Sequence, residues 1–265
     1  MYETKYHKSN SVEDAVAALA SADEGKILSG GQTLLPTMKQ HLAAPTDLVD
    51  VRGIDAMKGV CVDGDTVVIG AATTHADVAS NAEVQSRIPG LAALANGIGD
   101  PAVRAMGTIG GSVANNDPAA DYPSAVLALG ATVVTDKREI AADDFFDGMF
   151  ATALDEGEII TSIRFPVPAK AAYAKFPNPA SRYAMVGVFV AETGGAARVA
   201  VTGAGADGVF RHDGLEAALS GDFSEGAAGG VSVSSDGMLS DMHASADYRA
   251  HLVGVMAKRA VAAAG

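Results

Sequence analysis

Cysteine is nearly absent from this 265-residue chain: Cys61 stands alone, which excludes an internal disulfide and any multi-cysteine zinc or iron–sulfur centre and suits a reducing compartment. Positive charge is also scarce. Nineteen Lys and Arg face 32 Asp and Glu, a net charge of -13, which argues against nucleic acid or an anionic membrane surface as the main partner. No apolar run approaches the length of a membrane span, and the polar opening MYETKYHKSN has no leader-like apolar core, so no integral membrane segment is expected and a cytoplasmic location is. The six histidines show no metal-ligand spacing, and Gly-x-Ser-x-Gly is missing, so neither a metal centre nor a nucleophile elbow is predicted. No tandem repeats or heptads are present.

What the chain does have is 48% hydrophobic content, enough for a buried core in one large domain or two to three modest ones. It also has two Gly-Gly elements of one design. The first, ILSGGQTLLPTMK at Ile27 to Lys39, sets a Gly-Gly turn between a short apolar run and a helix-like segment. Glycines without Cβ let a phosphate approach main-chain N–H groups, and Gln32 and Thr33 add side-chain hydrogen bonds. The second, MGTIGGSVANNDPAAD at Met106 to Asp121, repeats the arrangement with Thr108 and Ser112 as hydroxyls and Asp121 as an acceptor for a ribose hydroxyl. With so few basic residues, an anion must be held by local backbone groups. Together the two turns predict a dinucleotide pyrophosphate held between them.

Taken in order, Ser11 to Ala20 predicts a capped helix, Lys26 to Ser29 and Asp47 to Val51 strands, with a small βαβ character and a boundary within Arg52 to Gly59. Val60 to Thr74 predicts a hairpin turning at Asp63-Gly64. Helices follow at Thr74 to Ala79, Ile88 to Ile98 and Pro123 to Leu129, and strands at Ala131 to Thr135 and Ile159 to Val167. The proline-rich Pro166 to Pro179 marks a domain junction. Beyond it, strands are expected at Tyr183 to Ala191, Ala197 to Thr202 and Val231 to Ser234, with helices at Gly214 to Ser220 and Ala246 to Ala264. The reading is α+β, divided at 1–55, 56–168 and 169–265.

Two motifs compete with this. Gly203, Gly205 and Gly208 follow a strand and spell a nicotinamide-dinucleotide fingerprint, but VFRHDG follows where a helix is required and little chain remains for further strand–helix units. Asp117 and Asp121 could pair as catalytic carboxylates, though Asp-Pro and Asp-Tyr-Pro are ordinary turn and cap sequences. His75, after Thr73-Thr74, reads as a helix-start residue. No catalytic residue is assigned.

ILSGGQTLLPTMK, GAATTHADV, DPAVRAMGTIGGSVANNDPAADYPSAVLALGA, GEIITSIRFPVP, YAKFPNPASRYAMVGV and VAVTGAGADGVF together resemble the FAD-binding medium subunit of the molybdenum hydroxylases, the carbon monoxide dehydrogenase and xanthine dehydrogenase flavoproteins. The resemblance spans about Tyr6 to Ala264. It implies FAD as cofactor, held across two subdomains of the vanillyl-alcohol-oxidase (PCMH) fold that are followed by a smaller C-terminal domain. By motif position Leu28, Ser29, Gly30, Gly31, Gln32, Thr33, Leu34 and Leu35 form one FAD loop and Thr108, Ile109, Gly110, Gly111 and Ser112 the other. Asp121 meets the adenosine ribose, Ile160 lies on the adenine side, Lys175 is a charged contact and Tyr183 sits near the isoalloxazine ring. Ser112 and Gln32, which depart from many relatives, keep hydrogen-bonding capacity. The resemblance further implies a heterotrimer with a molybdopterin-containing large subunit and a [2Fe–2S] small subunit, the electrons leaving to a quinone, NAD or another external acceptor. An FAD-free assembly module and a stand-alone flavin oxidase are the alternatives. Val at Gly31 or Gly110 is expected to abolish FAD binding with the fold largely kept, and Asp121→Ala to weaken it mildly.

Overall fold

The computed structural model describes residues 2–264. Among the described residues, three sheets occupy consecutive stretches of chain. The first is parallel, with β1 (Lys5–Lys8), β2 (Gly25–Leu28) and β3 (Asp47–Asp50) in the order β1-β3-β2. The crossover between its first two strands is α1 (Val12–Ala20), opened by Ser11, whose hydroxyl accepts from the Asp14 N–H at 3.1 Å. The next helix, α2 (Leu34–Lys39), starts directly after the first glycine turn. Strand β1 escapes the sequence reading because KYHK carries no apolar alternation and is largely exposed.

The second sheet is antiparallel: β4 (Val60–Asp63), β5 (Thr66–Gly70), β6 (Thr132–Thr135), β7 (Glu139–Ala141) and β8 (Ile160–Pro166), ordered β4-β5-β8-β6-β7. Its hairpin pairs Asp63 with Thr66, so the turn residues are Gly64 and Asp65, one position later than the Asp63-Gly64 expected. Six helices separate β5 from β6: α3 (His75–Ser80), α4 (Ala82–Arg87), α5 (Pro89–Asn96), α6 (Pro101–Met106), α7 (Ile109–Asn115) and α8 (Tyr122–Ala128). The unexpected α4 and α6 are single short pieces whose identity lies in their caps: Asn81 accepts from Glu83 and Val84, and Asp100 from Val103.

The third sheet is antiparallel, with β9 (Lys170–Pro177), β10 (Ala184–Thr193), β11 (Ala196–Thr202) and β12 (Phe210–Arg211), followed by α9 (Asp213–Gly221), α10 (Glu225–Gly229) and α11 (Ala246–Ala264). Strand β9 fills most of the proline-rich segment read as a junction. Pro166 and Pro177 end strands, where a missing N–H costs little, and leave the interior of β9 free to pair. The predicted strand at Val231 to Ser234 does not form; that stretch has no regular structure. Gly203, Gly205 and Gly208 lead into β12, not into a helix, so the dinucleotide fingerprint lacks the context it needs.

Strand β10 ties the molecule together. Val186, Val188 and Val190 pack with Leu252, Val253 and Met256 of α11, while Phe189 and Ala191 join the central cluster around Leu91, Tyr122 and Phe165. Both faces of this sheet are therefore covered. Each such Val, Leu, Met or Phe side chain contributes roughly 1.5–3 kcal/mol when fully buried.

Candidate cofactor site

The two glycine elements meet at one cavity of about 640 Å³. Of the residues expected in the site, Leu28 through Leu34, Thr108, Gly110, Gly111, Ser112, Asp121, Ile160 and Tyr183 line it. Leu35, Ile109 and Lys175 do not. Leu35 packs with Leu28, Met38 and Leu48 behind the turn, Ile109 is wholly buried, and Lys175 meets the site through Asp121 and the Arg182 carbonyl.

At the first turn, Gly31 has φ +71°, a conformation that glycine adopts without strain. A Cβ on its neighbour Gly30 would lie 2.6 Å from the Gly107 Cα, so this glycine lets the two elements touch. Among the described residues, the backbone N–H groups of Ser29, Gly30, Gly31, Gln32, Thr33 and Leu34 find no acceptor in the protein; intramolecular donation resumes at Leu35, to the Gly31 carbonyl at 3.1 Å. A run of six free donors at a concave turn is a backbone nest for an anion. It needs no cationic side chain, though Lys26 and Arg182 also line the cavity.

The second element is built differently. Ile109 N–H donates to the Thr73 carbonyl at 3.1 Å and Gly110 N–H to the Ala71 carbonyl at 2.9 Å. Gly111 N–H donates to the Thr108 hydroxyl at 3.2 Å and Ser112 N–H to the Thr108 carbonyl at 3.0 Å. Those amides are committed to the fold, so the symmetrical picture of two turns each offering several N–H groups is corrected: the first supplies backbone donors, and the second supplies hydroxyls and a wall. The hydroxyls of Ser29 and Thr108 lie 2.8 Å apart and join the two elements. The expectation for Gly110→Val is corrected too. A Cβ at Gly110 would fall 2.5 Å from the Ala71 Cβ and 2.7 Å from its carbonyl oxygen, so that substitution strikes the fold.

At the far end, Asp121 is buried and already engaged. Its carboxylate accepts from the Tyr173 hydroxyl at 2.5 Å and pairs with the Lys175 ammonium at 2.9 Å. Burial pushes the Asp121 carboxyl up, against the pull of Lys175 and Tyr173 in the other direction. Lys175 also donates to the carbonyls of Gly97 and Arg182, so it anchors the loop that carries Tyr183. Tyr183 itself is 45% exposed at the cavity wall beside Arg182, which has φ +62°. Asp117 serves a turn, accepting from the Ala119 N–H at 2.9 Å.

Sequence reasoning overlooked several wall residues. Glu158, 3% exposed, is held by Arg138 at 3.0 Å and Thr135 at 2.7 Å. Burial alone would raise its carboxyl; Arg138, Thr135 and the Asp155 N–H outweigh that and lower it to about 2. His75, read only as a helix start, is 5% exposed and lines the cavity. The burial that singles these two out is tertiary and has no local signature.

Residues 2–168 match the family model of the FAD binding domain in molybdopterin dehydrogenase. The chain is 36% identical to the carbon monoxide dehydrogenase medium chain of Hydrogenophaga pseudoflava, over 98% of this chain and 96% of that one. It is 33% identical to the nicotine 6-hydroxylase medium subunit of Paenarthrobacter nicotinovorans, over 98% and 97%. The solved carbon monoxide dehydrogenase from Hydrogenophaga pseudoflava that lacks the Mo-pyranopterin moiety superposes with a TM-score of 0.90 at 36% identity, over 99% of this chain and 97% of that one.

Proposed function

The chain belongs to the family of FAD-binding domains of the molybdopterin dehydrogenases, and from that premise we propose that it accepts electrons from the [2Fe–2S] clusters of a partner subunit and delivers them to an external acceptor. It is an oxidoreductase flavoprotein subunit of the medium-chain type, and FAD is its cofactor. The observation that carries the reading is the run of unpartnered N–H groups from Ser29 to Leu34 opening on a cavity of about 640 Å³. The site fits the cofactor: the volume is that of a ligand site, a nest faces it for phosphates, and Ile27, Val51, Met57 and Ile160 give it apolar wall.

In this proposal the first turn binds the pyrophosphate through its backbone, and the hydroxyls of Ser29, Thr108 and Ser112 complete the shell. Asp121, oriented by Lys175 and Tyr173, accepts from the adenosine ribose. Ile160 covers the adenine side, and Tyr183 stacks beside the isoalloxazine ring. Residues 1–55 and 56–168 act as the two halves of the binding fold and 169–265 as the C-terminal domain. When bound, FAD supplies a carrier that takes up electrons singly and releases them in pairs. No side chain here is required to move a proton for that purpose.

The partners are a molybdopterin-containing large subunit and a [2Fe–2S] small subunit, in a heterotrimer, with a quinone, NAD or another oxidant as acceptor. A cytoplasmic location accords with the lone exposed Cys61; among the described residues no helix is long and apolar enough to cross a membrane. The substrate belongs to the complex: relatives named for carbon monoxide and for nicotine are 36% and 33% identical to this chain. Expression with untagged partner subunits tests the assembly. Co-purification supports it, while rapid substrate turnover by the isolated chain would replace it with a stand-alone oxidase.

A further inference from the structure

His75 is the first residue of α3, and its backbone N–H donates to the Gly107 carbonyl at 2.9 Å. The residue is 5% exposed and lines the cofactor cavity. Among the described residues, its Nδ1 is sealed from solvent and has no hydrogen-bond partner. Buried polar atoms are paired in the great majority of cases, so an unpaired one beside a ligand cavity calls for an explanation.

The tautomer supplies it. A sealed nitrogen is less costly as a bare acceptor than as an orphaned N–H donor. The ring packs at 5.3 Å, centroid to centroid, against Tyr122, whose phenol is also sealed and unpartnered and is a donor, not a cation. Nδ1 is therefore the bare nitrogen, and the ring proton sits on Nε2. Nε2 is not sealed. It faces Gly107, where a Cβ would come within 2.6 Å of it, so any larger residue there would displace the ring. Gly107 in turn touches Gly30, in the middle of the nest.

We propose that His75 is a further FAD-contacting residue, presenting its Nε2–H as a neutral donor to the pyrophosphate in the cavity that His75, Gly30 and Gly107 all line. This rests on the reading that FAD lies along the first glycine turn. Desolvation, with a smaller contribution from Arg104, holds the imidazole at about 4, so the donor carries no charge at neutral pH. A neutral donor strengthens the nest without placing an unpaired cation in the core once the cofactor leaves.

The test uses the full chain, FAD as the probe, and His75→Leu and His75→Asn variants. Flavin fluorescence titration is expected to give about tenfold weaker FAD binding for each variant, as for one lost hydrogen bond to a charged acceptor. Phosphorus NMR of the bound cofactor is expected to show a shifted pyrophosphate resonance, which a merely structural role would not move selectively. In wild-type protein labelled with nitrogen-15 in histidine, His75 should appear as the Nε2–H tautomer, its Nε2 signal moving when FAD is added. That measurement stands even if neither variant folds. Unchanged affinity and phosphorus shifts in folded variants, or an Nδ1–H tautomer indifferent to FAD, would overturn the assignment while leaving the cofactor reading intact. Wild-type protein that fails to bind FAD would overturn both.

Discussion

At the scale of single residues, Asp121 carries two duties that pull against each other. In the proposed reading it accepts from a ligand, yet its carboxylate also neutralises Lys175, whose side chain is only 10% exposed. Removing one member of a buried pair strands the other, a loss of about 3–5 kcal/mol, larger than the 1.5–3 kcal/mol or so of one hydrogen bond. Asp121→Ala should therefore destabilise the apo chain, not only weaken FAD. Adding Lys175→Met should recover stability in urea denaturation; an additive double variant would show that the pair is not coupled. His75 gives a pH signature. Its folded pKa of about 4 lies below the usual 6.5, so between those values the unfolded chain binds more protons than the native one. Stability should fall as pH drops from 6.5 towards 4, by at most about 1.4 kcal/mol per unit from this group, and His75→Leu should flatten that slope. The place of Asp121 on the cavity wall was legible because its motif is local. Its bond to Lys175 was not, because the partner arrives from a strand hidden in a proline-rich stretch.

At the scale of elements, the two glycine turns look alike in sequence and differ in use. The first is a turn as read, since glycine chemistry is local, but the second is corrected: Gly110 and Gly111 lie in the first turn of α7, where the amides enter helix and loop hydrogen bonds. Which amides stay free was not readable, because the acceptors that occupy the second turn, Ala71 and Thr73, come from the loop after β5. Gly30→Ala should push a Cβ against Gly107 and the Met106 carbonyl, which is backbone and yields little. The seam must open, and we expect both FAD retention and the thermal midpoint to fall, the latter by several degrees for a loss of about 1–3 kcal/mol. A variant with wild-type FAD content and midpoint would mean that the two turns need not touch. Proline punctuation misled for a related reason: Pro166 and Pro177 mark strand ends, and pairing with β10 decides that the residues between them are sheet.

At the scale of the whole molecule, the family match ends at residue 168, yet the packing does not. Phe189 and Ala191 of β10, with Ala171 and Ala200, complete the cluster that covers α5 and α8. A chain cut after residue 168 should expose that apolar surface and aggregate, or unfold without a cooperative transition by circular dichroism, despite holding every residue of both glycine turns. A cooperative, soluble fragment would show that the third sheet is an independent appendage. With a net charge of -13, long-range attraction does not gather an anionic cofactor; the local run of N–H donors must. The central claim is that this run, opening on the cavity, holds one FAD per chain. Reconstituting the purified full-length chain with FAD, desalting it and recording its visible spectrum tests this most directly. The account predicts a flavin band corresponding to about one FAD per chain, and a desalted chain with no flavin band would contradict it.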